Sequence, residues 1–207
     1  MLSPSDWSVV VVGHWNRAIL QPAGIAHRVF GLDPNTPINV DIPLDSIAPF
    51  RVRHDEIIAS VPANRLILEL ETCSFELLEK ARTYAASAIK SLPETPFTAA
   101  GVNMKFLCDS VDDAVQEAAT SPLLGFFAGQ NLAVSTRSCK CRAPLGSGTM
   151  QVKVVADTDQ GAMVHFNYEL VSGTAQELRK WLGDPLDEAK SFMTAILKEH
   201  FTGEDQE

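Results

Sequence analysis

Cys139-Lys140-Cys141 is the short pattern in this chain with most chemical potential. Two thiols two residues apart on a strand point to the same face. A metal site would need two further soft ligands. Cys73 and Cys108 complete the four cysteines, but the paired spacing of zinc sites is absent. The pattern therefore reads as two small apolar side chains on a strand, with no bound metal and no cofactor. His54-Asp55 has the residue types of a base and its orienting carboxylate in hydrolysis. No Gly-x-Ser-x-Gly nucleophile context accompanies it. Adjacent residues in a turn seldom point at one another, so a turn-forming Asp beside a surface His is expected. His14, Trp15 and Asn16 follow a buried strand, where polar groups could face a pocket. His27, His165 and His200 are scattered, and no two are spaced as metal ligands on a helix.

A second constellation is cationic. Arg51, Arg53, Arg65, Arg137 and Lys153 alternate with apolar residues, which places them opposite the core face. With His165 they form the candidate binding set. Arginine presents a bidentate fork, so a carboxylate, a phosphate or an acidic partner is the matching ligand. The alternative is a solvated sheet face cross-paired with Glu69 and Glu169. Gly146-Ser147-Gly148 lies in a hairpin and not between a strand and a helix, so it is no phosphate loop. No catalytic constellation emerges, and the reading leans away from an enzyme.

The elements that must position these residues follow from periodicity. Trp7–Gly13 is a β-branched run that reads as a strand buried on both faces. Pro22 suits the first turn of a short helix. Thr36–Ile42, Pro49–Asp55, Glu56–Val61 and Arg65–Leu70 read as strands. Ser74 caps a helix through Leu92 with an inner stripe of Phe75, Leu78, Ala81 or Arg82, Ala85, Ile89 and Leu92. Phe97–Leu107 opens a second series of strands. Ser110 caps a helix to Ala119, and an apolar patch spans Leu123–Phe127. Strands follow over Asn131–Arg142, Met150–Ala156 and Ala162–Leu170. Thr174, with Glu177 at the capping-box position, starts the last helical region, which Gly183-Asp184-Pro185 breaks.

The order strand, helix, several strands, long helix occurs twice, over about 7–92 and 97–201. It resembles the fold of the TATA-binding protein, and uses parts similar to the helix-grip fold of lipid-transfer proteins. The resemblance implies an α+β chain: one compact domain over 1–207, an antiparallel sheet with long helices on one face, and two similar β-α-β(3-4)-α halves. The ends, 1–6 and 202–207, are polar and expected to be flexible. Gly13-His-Trp-Asn16, Pro49–Asp55 and Leu92–Asn103 resemble segments of uncharacterised bacterial and phage-related proteins, a family with no assigned activity.

The net charge of −9 and pI near 5.0 argue against a general nucleic-acid coat protein. The start lacks a positive n-region, and Val9–Val12 is far too short to span a bilayer. A cytoplasmic protein with reduced thiols is expected. The function expected is a non-enzymatic interaction module that assembles with itself or with a protein partner. The alternatives are a small-molecule or lipid cavity under the C-terminal helix, and nucleic-acid binding through the Arg-bearing face.

Overall fold

Apolar alternation decides where each strand turns its side chains, and the core follows from it. The computed structural model describes residues 2–44, 48–108 and 113–201. The fold is mixed α+β, with a large antiparallel sheet and six described helices. Nine strands are hydrogen-bonded in the order β2-β3-β4-β5-β1-β6-β9-β8-β7. Their ranges are β1 Ser3–Gly13, β2 Asn39–Asp41, β3 Arg51–His54, β4 Ile57–Ser60, β5 Arg65–Leu70, β6 Phe97–Cys108, β7 Thr136–Leu145, β8 Gly148–Asp157 and β9 Gly161–Val171. The helices are α1 Pro22–Arg28, α2 Phe75–Ser91, α3 Asp113–Ala118, α4 Leu124–Gly129, α5 Ala175–Gly183 and α6 Asp187–Phe201.

The chain divides into two compact units. An N-terminal unit comprises Asp6–Asn103 with Glu169–Pro185; a C-terminal unit comprises Met104–Tyr168 and Leu186–Glu207 with Met1–Ser5. In the N-terminal unit α5 packs on α2.

In the N-terminal unit β1 pairs antiparallel with β5, setting Val9 opposite Leu68 and Val11 opposite Leu66. All four are buried, and the intervening Ser8, Val10 and Val12 are only half-buried. Trp7–Gly13 is thus covered on one face and not on both. A β-branched run hides this distinction, since Val serves either face. Ser74 Oγ accepts from Leu77 N at 3.2 Å and starts α2. That helix buries Leu78, Ala81, Arg82, Ala85, Ala88 and Ile89 against β5 and α5. Each large apolar side chain so buried contributes about 1.5–3 kcal/mol.

In the C-terminal unit Phe106 and Phe166 meet edge-on at 5.9 Å between centroids. Met150, Val154, Ala156 and Val164 extend this core, and Val115 of α3 and Met193 of α6 are buried too. The β7–β8 turn passes through Gly146 at φ 52, where a left-handed backbone favours glycine.

Two expectations change. Strand β1 begins at Ser3, inside the segment expected to be a flexible end. Asp6 at φ 51 interrupts the extended conformation there, and no apolar alternation marks those residues. Thr174 makes no side-chain cap; Ser172 Oγ instead donates to Glu177 at 2.6 Å. The cap expected at Ser110 and the end 202–207 lie outside the described residues.

Candidate functional site

The cationic residues separate into neutralised and clustered groups. In the N-terminal unit, β3 pairs antiparallel with β4, and Arg51 and Arg53 lie on one face with Val52 on the other. Arg51 pairs with Glu69 at 2.5 Å. Arg53 pairs with Glu71 and, at 3.5 Å, with Asp41. Arg65 stands opposite Val12 on the same side as Ile67 and Glu69. The cross-paired face describes Arg51 and Arg53 better than an open anion site does.

In the C-terminal unit, Arg137 and Lys153 occupy opposite faces of the β7–β8 ladder. Arg137 is opposite buried Ala156, and its Nη1 donates to Gln116 of α3 at 3.3 Å. Lys153 is opposite Lys140. His165 of β9 lies near Lys153 and Lys105, residues of β8 and β6 that flank β9 in the sheet. Burial first, then the charges of Lys105 and Lys153, push His165 below its ordinary pKa. Four adjacent strands of this unit therefore contribute Lys105, His165, Lys153 and Lys140. Like charges directly opposite in a ladder are destabilising. Lys105 and Lys140 were missed from the sequence; their alternation with Met104, Phe106, Cys139 and Cys141 carried the signal.

Cys139 and Cys141 lie on the other face of β7, opposite Val154 and Val152. Their sulfurs are 3.9 Å apart. Burial and then the neighbouring Cys141 push the Cys139 thiol up. Among the described residues no group of three His, Cys, Asp or Glu is placed to hold a metal ion.

His54 and Asp55 do meet, contrary to the expectation for turn neighbours. His54 Nε2 lies 3.2 Å from Asp55 Oδ2, which also accepts from Lys80 at 2.7 Å and Tyr84 at 3.2 Å. The Lys80 hydrogen bond chiefly holds Asp55 below the usual carboxylate range, helped by His54 and Tyr84. The same contact raises the pKa of Lys80, and burial raises that of Tyr84. Phe30 packs edge-on to Tyr84 at 5.1 Å. The cluster ties the β3–β4 turn to α2, and among the described residues no serine or cysteine hydrogen-bonds His54.

Trp15 is also structural. Its Nε1 donates to the Val11 carbonyl at 3.0 Å, and its ring meets Phe97 at 5.3 Å. Asn16 Oδ1 accepts from Ala18 N at 3.0 Å. A cleft of about 320 Å³ involves Arg17, Leu20, Gln21, Pro49, Phe50 and Val61. A larger depression of about 660 Å³ is lined by α6 alone, through Asp187, Lys190, Ser191, Thr194, Ala195 and Lys198. It lies on the helix's outer surface, which is not the cavity expected beneath a C-terminal helix.

The least ordinary surface is α4. None of its residues is buried. Phe126 is 65% exposed and Leu123, just before the helix, 63%; Leu132 just after it is 56% exposed. Phe127 lies beside Phe126 at 6.1 Å between ring centroids. The apolar patch was legible, but its exposure was not.

No protein-family model and no curated protein matches this chain. No described helix is long and apolar enough to cross a membrane.

Proposed function

We propose that this protein is a non-enzymatic interaction module that self-associates through α4. The exposure of Leu123, Phe126 and Leu132 carries the reading, because clustered apolar surface of this kind marks interaction sites. A two-fold contact would let the same side chains cover one another. The ion-paired Arg51 and Arg53, and a His54–Asp55 pair to which no described serine or cysteine is hydrogen-bonded, favour binding over Ser-His or Cys-His catalysis. Four free cysteines suit a reducing, cytoplasmic setting.

Internal duplication of the TATA-binding-protein kind belongs to the same proposal. Its support is strand order: β3-β4-β5-β1 in one half has its counterpart in β7-β8-β9-β6 in the other.

Sedimentation velocity across a micromolar concentration series tests the self-association. The native chain should shift from monomer to dimer, and Phe126→Glu should remain monomeric with unchanged thermal stability. A native chain that is monomeric throughout refutes it.

A further inference from the structure

The sheet order ends at β7, so among the described residues only β8 pairs with this ten-residue strand. Seven of its residues from Thr136 to Pro144 are exposed: Thr136, Ser138, Lys140, Cys141, Arg142, Ala143 and Pro144. An unpaired edge presents backbone N–H and C=O groups to any extended chain. Its side chains are sorted by face. Lys140 and Arg142 lie on one side, and Cys139, Cys141 and Ala143 on the other. Every charged residue between Thr136 and Leu145 is positive.

Charge selects the occupant. Lys140 stands directly opposite Lys153, and neither has an ion-pair partner among the described residues. Two copies of β7 paired edge to edge about Lys140 and Arg142 would set these residues against like charges, which is unfavourable. Edge lysines deter such pairing in many sheets. The same lysines favour a strand of opposite charge, since a carboxylate placed opposite Lys140 would relieve the Lys140–Lys153 pair. On the other face a small apolar side chain would meet Cys139, Cys141 and Ala143. No aromatic residue occurs in β7 or β8 to stack a nucleobase.

We propose that the open edge of β7 binds an extended segment of a partner protein in which acidic and apolar residues alternate, by strand addition. This rests on the reading of the chain as an interaction module, but uses a different surface from α4.

The test uses the full chain and a fluorescent seven-residue peptide of alternating Val and Glu. Anisotropy should show saturable binding that weakens with salt. Lys140→Glu/Arg142→Glu should weaken it at least tenfold, and replacing the peptide's alternate residues with proline should abolish it by removing N–H donors. Bound peptide should also slow alkylation of Cys141. Absent binding, or binding indifferent to the charge reversal or to proline, overturns the proposal. Tighter binding of a single-stranded oligonucleotide than of the peptide does so too. Sedimentation of Phe126→Glu separates the two readings: peptide binding can fail while α4-dependent dimerisation persists, and the reverse.

Discussion

Arg82, only 1% exposed, donates from Nη2 to the carbonyl oxygen of Trp181 at 2.9 Å. It also donates to the carbonyl of Asp184 at 2.5 Å, and Nη1 reaches Glu79 at 2.6 Å. Trp181 and Asp184 lie at the C-terminal end of α5, where carbonyls lack intrahelical partners and the helix dipole is negative. Arg82 therefore closes one helix end from within another helix. Arg82→Met should lower stability by roughly 3 kcal/mol, because the acceptors remain in a site built for a donor. Glu79 is half-exposed, so Glu79→Gln should cost under about 1 kcal/mol. Urea denaturation of the two variants checks the contrast. Equal losses would make the carbonyl contacts unimportant.

The β3–β4 hairpin stores strain. Asp55 and Glu56 have φ of 49° and 59°, both in the left-handed region. A two-residue turn with both central residues there is the type that favours glycine at its second position. A left-handed non-glycine residue costs roughly 1–2 kcal/mol, and glycine's greater unfolded-state freedom offsets roughly 0.5–1 of that. Glu56→Gly should stabilise by about 0.5–1 kcal/mol. Asp55→Ala should destabilise by about 1 kcal/mol, since alanine keeps the strain and loses the Lys80 and Tyr84 contacts. Thermal melts of both variants would settle the signs.

These two sites show what was legible. Ser74 as a cap and Arg65–Leu70 as a strand depend on local chemistry, and both stand where the sequence placed them. Arg82 depends on carbonyls 99 and 102 residues further on, and nothing local announces them. The alternation of Arg137 was visible, but not which of its faces α3 would cover. The alternation of Lys105 and Lys140 was visible too, but a single lysine on a strand is ordinary. Their meaning comes from strand order, which the sequence does not print. Ser3–Ser5 belong to β1 although no apolar alternation marks them.

His165 makes stability depend on pH. Burial and the charges of Lys105 on β6 and Lys153 on β8 depress its folded pKa below the unfolded value of about 6.5. Between those two values the unfolded chain binds more protons than the folded one. Stability therefore falls as pH drops through about 6.5 toward the folded pKa. Denaturant melts from pH 7 to pH 5 should show a smaller loss for His165→Gln than for the native chain. The other titrating groups are common to both proteins, so their contributions cancel in the comparison. Identical slopes would refute the assignment to His165.

Cys139 and Cys141 should differ in reactivity although they share a face. The thiolate is the nucleophile, so a raised pKa slows alkylation. Burial raises Cys139, and its neighbour's sulfur 3.9 Å away adds to the effect. Cys141 is exposed, whereas Cys139 is half-buried. Limited iodoacetamide treatment followed by peptide mass spectrometry should find Cys141 modified several-fold faster. Untagged protein should carry no stoichiometric zinc, since two thiols on one strand leave half of a tetrahedral set unfilled. Zinc at one equivalent, together with protection of both cysteines until a chelator is added, would reverse both expectations. It would also mean that further ligands reach Cys139 and Cys141 from beyond the described residues or from a second molecule.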